Sequence, residues 1–192
     1  MKGSVASKRL LTCWKAVLSV DDLSNALKIT PEEVVAKFRD GRITSWFAEI
    51  WGAKLFGYQK HLSSNHPGSD ASIDIGLIGP YEISVRTVTN SGIKFQKSKD
   101  IGSSRSATQT DVYNAISDVE RVVVVDIRRF PEVTFIPLDS KWLLRHAHNG
   151  TLTANGLSAA RLYGLLGLEF DLKEESFDLT LALTETSPAL AT

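Results

Sequence analysis

The stretch that most restricts the fold is Val122-Val123-Val124-Val125-Asp126-Ile127. Branching at Cβ stiffens χ1 and favours a pleated strand over a helix. Side chains in a strand alternate between its two faces, so an apolar run without alternation must be covered on both. A central strand with packed layers above and below follows, which is an α/β or α+β architecture. The 192 residues suffice for one such domain with a full core.

The second informative stretch runs from Gly68 to Thr89. Ile73, Ile75 and Leu77 alternate with Asp74, Gly76 and Ile78; Tyr81, Ile83, Val85 and Thr87 alternate with Glu82, Ser84 and Arg86. Gly79-Pro80 is a turn signal between them, so a hairpin is expected. With the turn at Ile78-Gly79, Asp74 stands opposite Ile83, and Asp74, Glu82, Ser84 and Arg86 share one face. Two carboxylates held together repel unless a cation or a shared proton relieves them. Magnesium takes carboxylate oxygens while keeping several waters, and it activates water for phosphodiester hydrolysis. The plainer reading is an antiparallel hairpin with one wet face, its acids and Arg86 paired across strands.

Around these two stretches the expected order is mostly helical before and mixed after. Leu11, Trp14, Val17 and Leu18 fit a helix over about 8–20, and Asp21-Asp22 starts a second. Thr30-Pro31-Glu32-Glu33 is a capping box with proline at the first helical position. These helices make an N-terminal segment, 1–41. A helix-turn-helix around Ile29 is disfavoured, because Glu32 and Glu33 would face phosphates. Residues 42–60 carry an aromatic helix whose stripe of Trp46, Phe47, Ile50, Trp51, Leu55 and Phe56 includes Glu49. An acid among aromatics either lies at the stripe's edge in water or points at a polar site. A third strand at Ile93–Ser98 is expected after the hairpin, then a loop holding Lys99, Ser104 and Arg105, and a helix over Asp111–Glu120. A strand at Val133–Leu138, edge-like because of Pro137, a helix from Ser140, another over Ser158–Leu166 and a strand from Phe177 complete a core of 42–185. A tail of 186–192 follows.

Composition narrows the partners without naming one. Twenty-two basic and 22 acidic residues cancel, so any nucleic-acid footprint is local. A single cysteine, Cys13, excludes an internal disulfide and fits a reducing, cytoplasmic setting as a buried thiol. No apolar run reaches membrane-spanning length, and no signal peptide is evident. His61 and His66 stand alone, and His146 and His148 read as solvated residues at a helix end.

The order of helix, hairpin, strand, helix and buried strand over Arg42–His146 resembles the core of the PD-(D/E)XK nuclease superfamily. That superfamily includes type II restriction endonucleases. The resemblance implies a restriction-endonuclease-like mixed sheet flanked by helices. It implies an Asp at the start of the second core strand, and acid-any-lysine on the third. Asp74 and Glu82 match the two acids, with Asp70 as rival to Asp74, and Glu49 matches an acid that many members place on the preceding helix. Ser84 stands where the lysine belongs and cannot supply its charge. Arg86 is then the electrostatic stand-in, and it makes a poor base because guanidinium stays protonated. Lys94 or Lys97 reaching across is the alternative.

What the resemblance implies is a magnesium-dependent endonuclease, with manganese as a substitute, cutting double-stranded DNA as a homodimer. Asp74, Glu82 and Asp70 are the metal-ligand candidates. Lys94, Lys97, Lys99, Ser104 and Arg105 are the DNA-backbone candidates. The alternative is a catalytically inactive nuclease-fold subunit that binds DNA or supports a partner.

Overall fold

A computed structural model describes residues 8–61, 69–74, 80–97 and 107–178, apart from the side chains of Arg42, Ser45, Trp46, Asp74 and Pro80. The chain begins with β1 (Arg9–Val17), α1 (Val20–Leu27), α2 (Pro31–Arg39), α3 (Arg42–Phe56) and β2 (Gln59–Lys60). It continues through β3 (Ala71–Asp74), β4 (Pro80–Val88), α4 (Gln109–Ser117), β5 (Arg121–Asp126) and β6 (Glu132–Asp139). It ends with α5 (Ser140–His148), α6 (Ala159–Glu169) and β7 (Phe170–Ser176). The strands form one mixed sheet in the order β2-β3-β4-β5-β6-β1-β7.

The valine run is the middle strand of that sheet, and it is covered as its sequence demands. Val122 and Val124 pack with Val112 and Ile116 of α4, Leu143 of α5 and Leu162 of α6. Val123 and Val125 pack with Val34 and Phe38 of α2 and Ala48 and Trp51 of α3. β5 runs parallel to β4, so the two need a crossover, and α4 supplies its helix. Antiparallel pairing joins β2 to β3, β3 to β4, β5 to β6 and β6 to β1.

Local signals account for several helix ends. Thr30 and Glu33 form the expected capping box, and Thr108 with Asp111 forms another at α4. Gly57, in the left-handed region at φ 72°, closes α3. The chain then turns into β2 where the sequence pattern had suggested more helix. Asp139, not Ser140, caps α5.

The largest departure is the N-terminus, where a helix was expected and β1 forms. Leu11 and Cys13 join the layer under α4–α6, while Trp14 and Ala16 join the layer under α2 and α3. A strand with apolar residues directed to both layers loses its period-two signature, and helical spacing then fits by chance. The described part of the 1–41 segment thus contributes a strand between β6 and β7 as well as α1 and α2. Ile93 makes an isolated bridge to Leu157 in place of the expected third strand; β7 at Phe170–Ser176 was not expected, and the strand expected from Phe177 runs through residues 179–183, which lie outside the described residues. Nor is β6 an edge strand: Pro137 is tolerated because it lies past the residues that pair with β1. No helix among the described residues is long and apolar enough to cross a membrane.

Candidate active site on the β3–β4 hairpin

Register decides which polar side chains meet. Ala71 stands opposite Ile83, Ser72 opposite Glu82, Ile73 opposite Tyr81 and Asp74 opposite Pro80. The expected pairing of Asp74 with Ile83 does not form, since the register sets Asp74 opposite Pro80; the turn expected at Ile78-Gly79 lies outside the described residues. Asp70, immediately before β3, is the acid brought to the middle of β4. The side chain of Asp74 lies outside the described residues.

Asp70 works as a substitute for a strand. Val85 N–H lies past the end of the β3 ladder, where no backbone carbonyl continues the pairing. Asp70 Oδ2 accepts it at 2.7 Å, together with Ser84 Oγ at 2.9 Å and Arg86 Nη1 at 3.2 Å. Arg86 Nη1 also donates to Val85 O at 2.9 Å, which fixes the guanidinium against its own strand. Every one of these donors meets Oδ2. Asp70 Oδ1 accepts nothing from the described residues, and the side chain is 28% exposed.

Glu49 arrives from α3, and it does point at a cation. Its carboxylate is 2.8 Å from Lys60 Nζ, on the short strand β2, where Lys60 stands opposite Ala71. Burial pushes the Glu49 carboxyl up, the Lys60 ammonium opposes that, and the nearby charge of Asp70 adds to the rise. Tyr58 belongs to the same neighbourhood. Its hydroxyl is buried without a hydrogen-bond partner among the described residues, and burial with the charges of Glu49 and Asp70 pushes its ionisation far up. It lies against Gly52, one turn after Glu49, where a Cβ would meet the hydroxyl at 1.9 Å.

Glu82 has other partners. Ser69 Oγ donates to its carboxylate, and His61 Nε2 is 3.2 Å from the same oxygen and 3.0 Å from Ser69 Oγ. His61 looked isolated in the sequence because its neighbours come from β4 and from the segment before β3. Its position follows from β2 pairing with β3, which also puts His61 N–H on Asp70 O at 3.4 Å. Each described acid of this cluster therefore has a basic neighbour: Asp70 has Arg86, Glu49 has Lys60 and Glu82 has His61.

The remaining candidates are spread out. Lys97 is ion-paired with Asp118 beyond α4, and Lys94 is exposed. Lys99, Ser104 and Arg105 lie outside the described residues, as does His66. His146 is not solvated: it is buried, with Nε2 2.8 Å from Glu169, which also accepts from Trp142 Nε1. The Cys13 thiol is buried and pushed up to about 11, chiefly by burial.

Among the described residues no three His, Cys, Asp or Glu side chains converge as a metal-binding group. Magnesium asks for less, since one or two carboxylates, waters and substrate phosphates complete its shell. Asp70 has an uncommitted Oδ1 among the described residues, and Glu49 lies near enough for the charge of Asp70 to act on it.

No protein-family model matches the chain, and neither does any curated protein or solved structure at a significant level.

Proposed function

We propose that the chain is a magnesium-dependent nuclease that hydrolyses phosphodiester bonds in double-stranded DNA, in the manner of restriction-type enzymes. The observation that carries this reading is the placement of Asp70. It stands at the start of the second strand of the antiparallel run β2-β3-β4, bonded to Ser84, Val85 and Arg86 of the third. A helix precedes that run, and a crossover helix leads to a buried strand parallel to β4. That order and the acid's position in it are what the PD-(D/E)XK resemblance calls for.

In this reading Asp70 replaces Asp74 as the first acid, and Glu49 is the second carboxylate available to the metal. Magnesium, when bound, would polarise a phosphate oxygen and lower the pKa of its water. Asp70 also holds Arg86 in place, and Arg86 contributes a fixed positive charge near developing negative charge. Glu82, tied to Ser69 and His61, braces the hairpin. Lys94 and the segment holding Lys99, Ser104 and Arg105 would meet the DNA backbone, and a homodimer would match a symmetric site.

A second reading keeps the DNA and drops the chemistry. Ser84 supplies no charge, and each described acid of the hairpin cluster already has a basic neighbour. A DNA-binding or structural subunit accounts for both facts. The test is cleavage of mixed-sequence plasmid and phage DNA with magnesium or manganese, wild type beside Asp70→Asn. Discrete fragments from wild type alone support the nuclease. Tight, salt-sensitive binding without cleavage supports the second reading. Neither binding nor cleavage rejects both.

A further inference from the structure

Across β5 from the hairpin, β1, β6 and β7 form the floor of a cavity of about 250 Å³. Its walls are α6 and the residues that follow β5. Part of the lining is apolar: Cys13 and Ile136 are buried, and Leu172 of β7 joins them. α6 meets this floor with Ala160, an exposed residue whose small methyl group leaves the space open. Asp126 ties the two walls together. It accepts from Tyr163 of α6 and from Arg128, and the Arg128 guanidinium lies over the Tyr163 ring at 5.5 Å. A saturated network of this kind holds a cavity wall rigid.

Charge within the cavity is sorted. Lys15 stands 3.0 Å from Glu174 and 3.7 Å from Glu132, so two acids share one ammonium. Arg128 gives Nε and Nη2 to Asp126, and its Nη1 donates to no acceptor among the described residues. Arg129 is exposed, with no ion pair and no side-chain hydrogen bond among the described residues. Two consecutive arginines thus bring unused donors to a partly apolar cavity, and guanidinium donors match the planar oxygens of an organic acid. The surplus acid beside Lys15 opposes a second negative charge on the same ligand. At about 250 Å³ the cavity is smaller than a drug-sized pocket, which suits one ring or a short acyl chain.

We propose that this cavity binds a small organic monocarboxylate, its acid on Arg128 and Arg129 and its uncharged body against Cys13, Ile136 and Leu172. The site is separate from the hairpin and stands whether or not the chain cuts DNA.

The experiment titrates benzoate and hexanoate into the full chain and follows them by ligand-observed NMR. Phenyl phosphate is the dianion for comparison, and benzyl alcohol the uncharged body. Both carboxylates should bind saturably and displace one another, with the dianion and the alcohol weaker. Arg129→Gln should weaken benzoate by about tenfold, the scale of a charge-assisted contact. Ala160→Phe puts a ring over the cavity from an exposed helix position and should abolish binding. Arg129→Gln changes an exposed side chain, so it carries the test even where Ala160→Phe fails to fold. Lys37→Gln removes an exposed cation from α2, on the other layer, and should change nothing. Carboxylates that do not bind saturably, or benzoate that binds Ala160→Phe or Arg129→Gln as well as wild type, overturn the proposal. So does phenyl phosphate binding more tightly than benzoate. An equal loss from Lys37→Gln and Arg129→Gln would mean unspecific charge attraction and overturns it too.

Discussion

Two carboxylate–guanidinium pairs sit in the same sheet, and they are built differently. Asp126, at the end of β5, is 8% exposed at its side chain, and both its oxygens are used. Oδ1 accepts Arg128 N–H and Nε, each at 3.0 Å. Oδ2 accepts Arg128 Nη2 at 2.7 Å and Tyr163 Oη at 2.8 Å. Asp70, at the start of β3, places its donors on one oxygen and leaves the other uncommitted among the described residues. Arg128 lies two residues from its acid, so local chain geometry makes the pair. Arg86 lies sixteen residues away and meets Asp70 only because the hairpin forms. A saturated buried network rigidifies the structure that holds it. A half-used, partly exposed carboxylate keeps capacity for a ligand. On the proposed reading, Asp126 serves stability and Asp70 chemistry.

The sharpest way to break that contrast is Asp70→Asn. Cleavage in magnesium should fall by about a thousandfold or more, the scale of losing a central electrostatic group. Its melting temperature should stay near that of wild type, because the amide oxygen still accepts from Ser84 and Val85. Asp126→Asn should do the reverse. It strips the charge from a buried pair and should lower unfolding free energy by about 2–4 kcal/mol, read by urea denaturation, with cleavage intact where the protein is folded.

A pH series sharpens the same point. Burial alone would raise the Asp126 carboxyl, but the hydrogen bonds from Arg128 and Tyr163 outweigh it and hold it below the ordinary value of 3.8. A carboxyl lowered on folding stabilises the protein fully above its unfolded pKa, and that contribution disappears as the pH falls through the folded one. The stability gap between wild type and Asp126→Asn should therefore be full at neutral pH and close below about pH 4. A gap that stays constant into acid would mean that charge is not what Asp126 contributes.

Two smaller effects probe the edges of the site. Gly52→Ala should destabilise by about 1–3 kcal/mol, because the added methyl must displace the Tyr58 ring. Cleavage should fall further than folding does if that ring seats α3 beside β3. Glu82→Gln should slow cleavage by only about tenfold, the size of an outer-partner effect. A loss as large as that of Asp70→Asn would return Glu82 to the role of metal ligand.

Much of this molecule was legible from local signals. The valine run gave the middle strand, the capping box at Thr30 gave α2, and the alternation around Gly79-Pro80 gave the hairpin. What stayed hidden depends on pairing. The sequence of β1 reads as a helix because Leu11 and Cys13 pack on one core layer and Trp14 and Ala16 on the other, which erases the alternation that marks a strand. Asp74 was preferred to Asp70 because register depends on how many residues the connection takes up, and the apolar pattern continues through Ile75 and Leu77 without marking where pairing stops. Lys60 belongs to a two-residue strand too short for any period, with His61 directly after it, and their neighbours appear only once β2 lies beside β3. Glu49 stands out in the sequence because an acid in an aromatic stripe needs an explanation, and that signal is chemical more than periodic.

One paired measurement tests the account most directly: cleavage of mixed-sequence plasmid DNA in magnesium alongside thermal unfolding, for wild type, Asp70→Asn and Asp126→Asn. The account predicts that wild type cuts, that Asp70→Asn folds like wild type and does not cut, and that Asp126→Asn melts early and still cuts at low temperature. Wild type that leaves the DNA intact, or an Asp70→Asn protein that cuts it as well as wild type, would contradict the assignment of the hairpin as an active site.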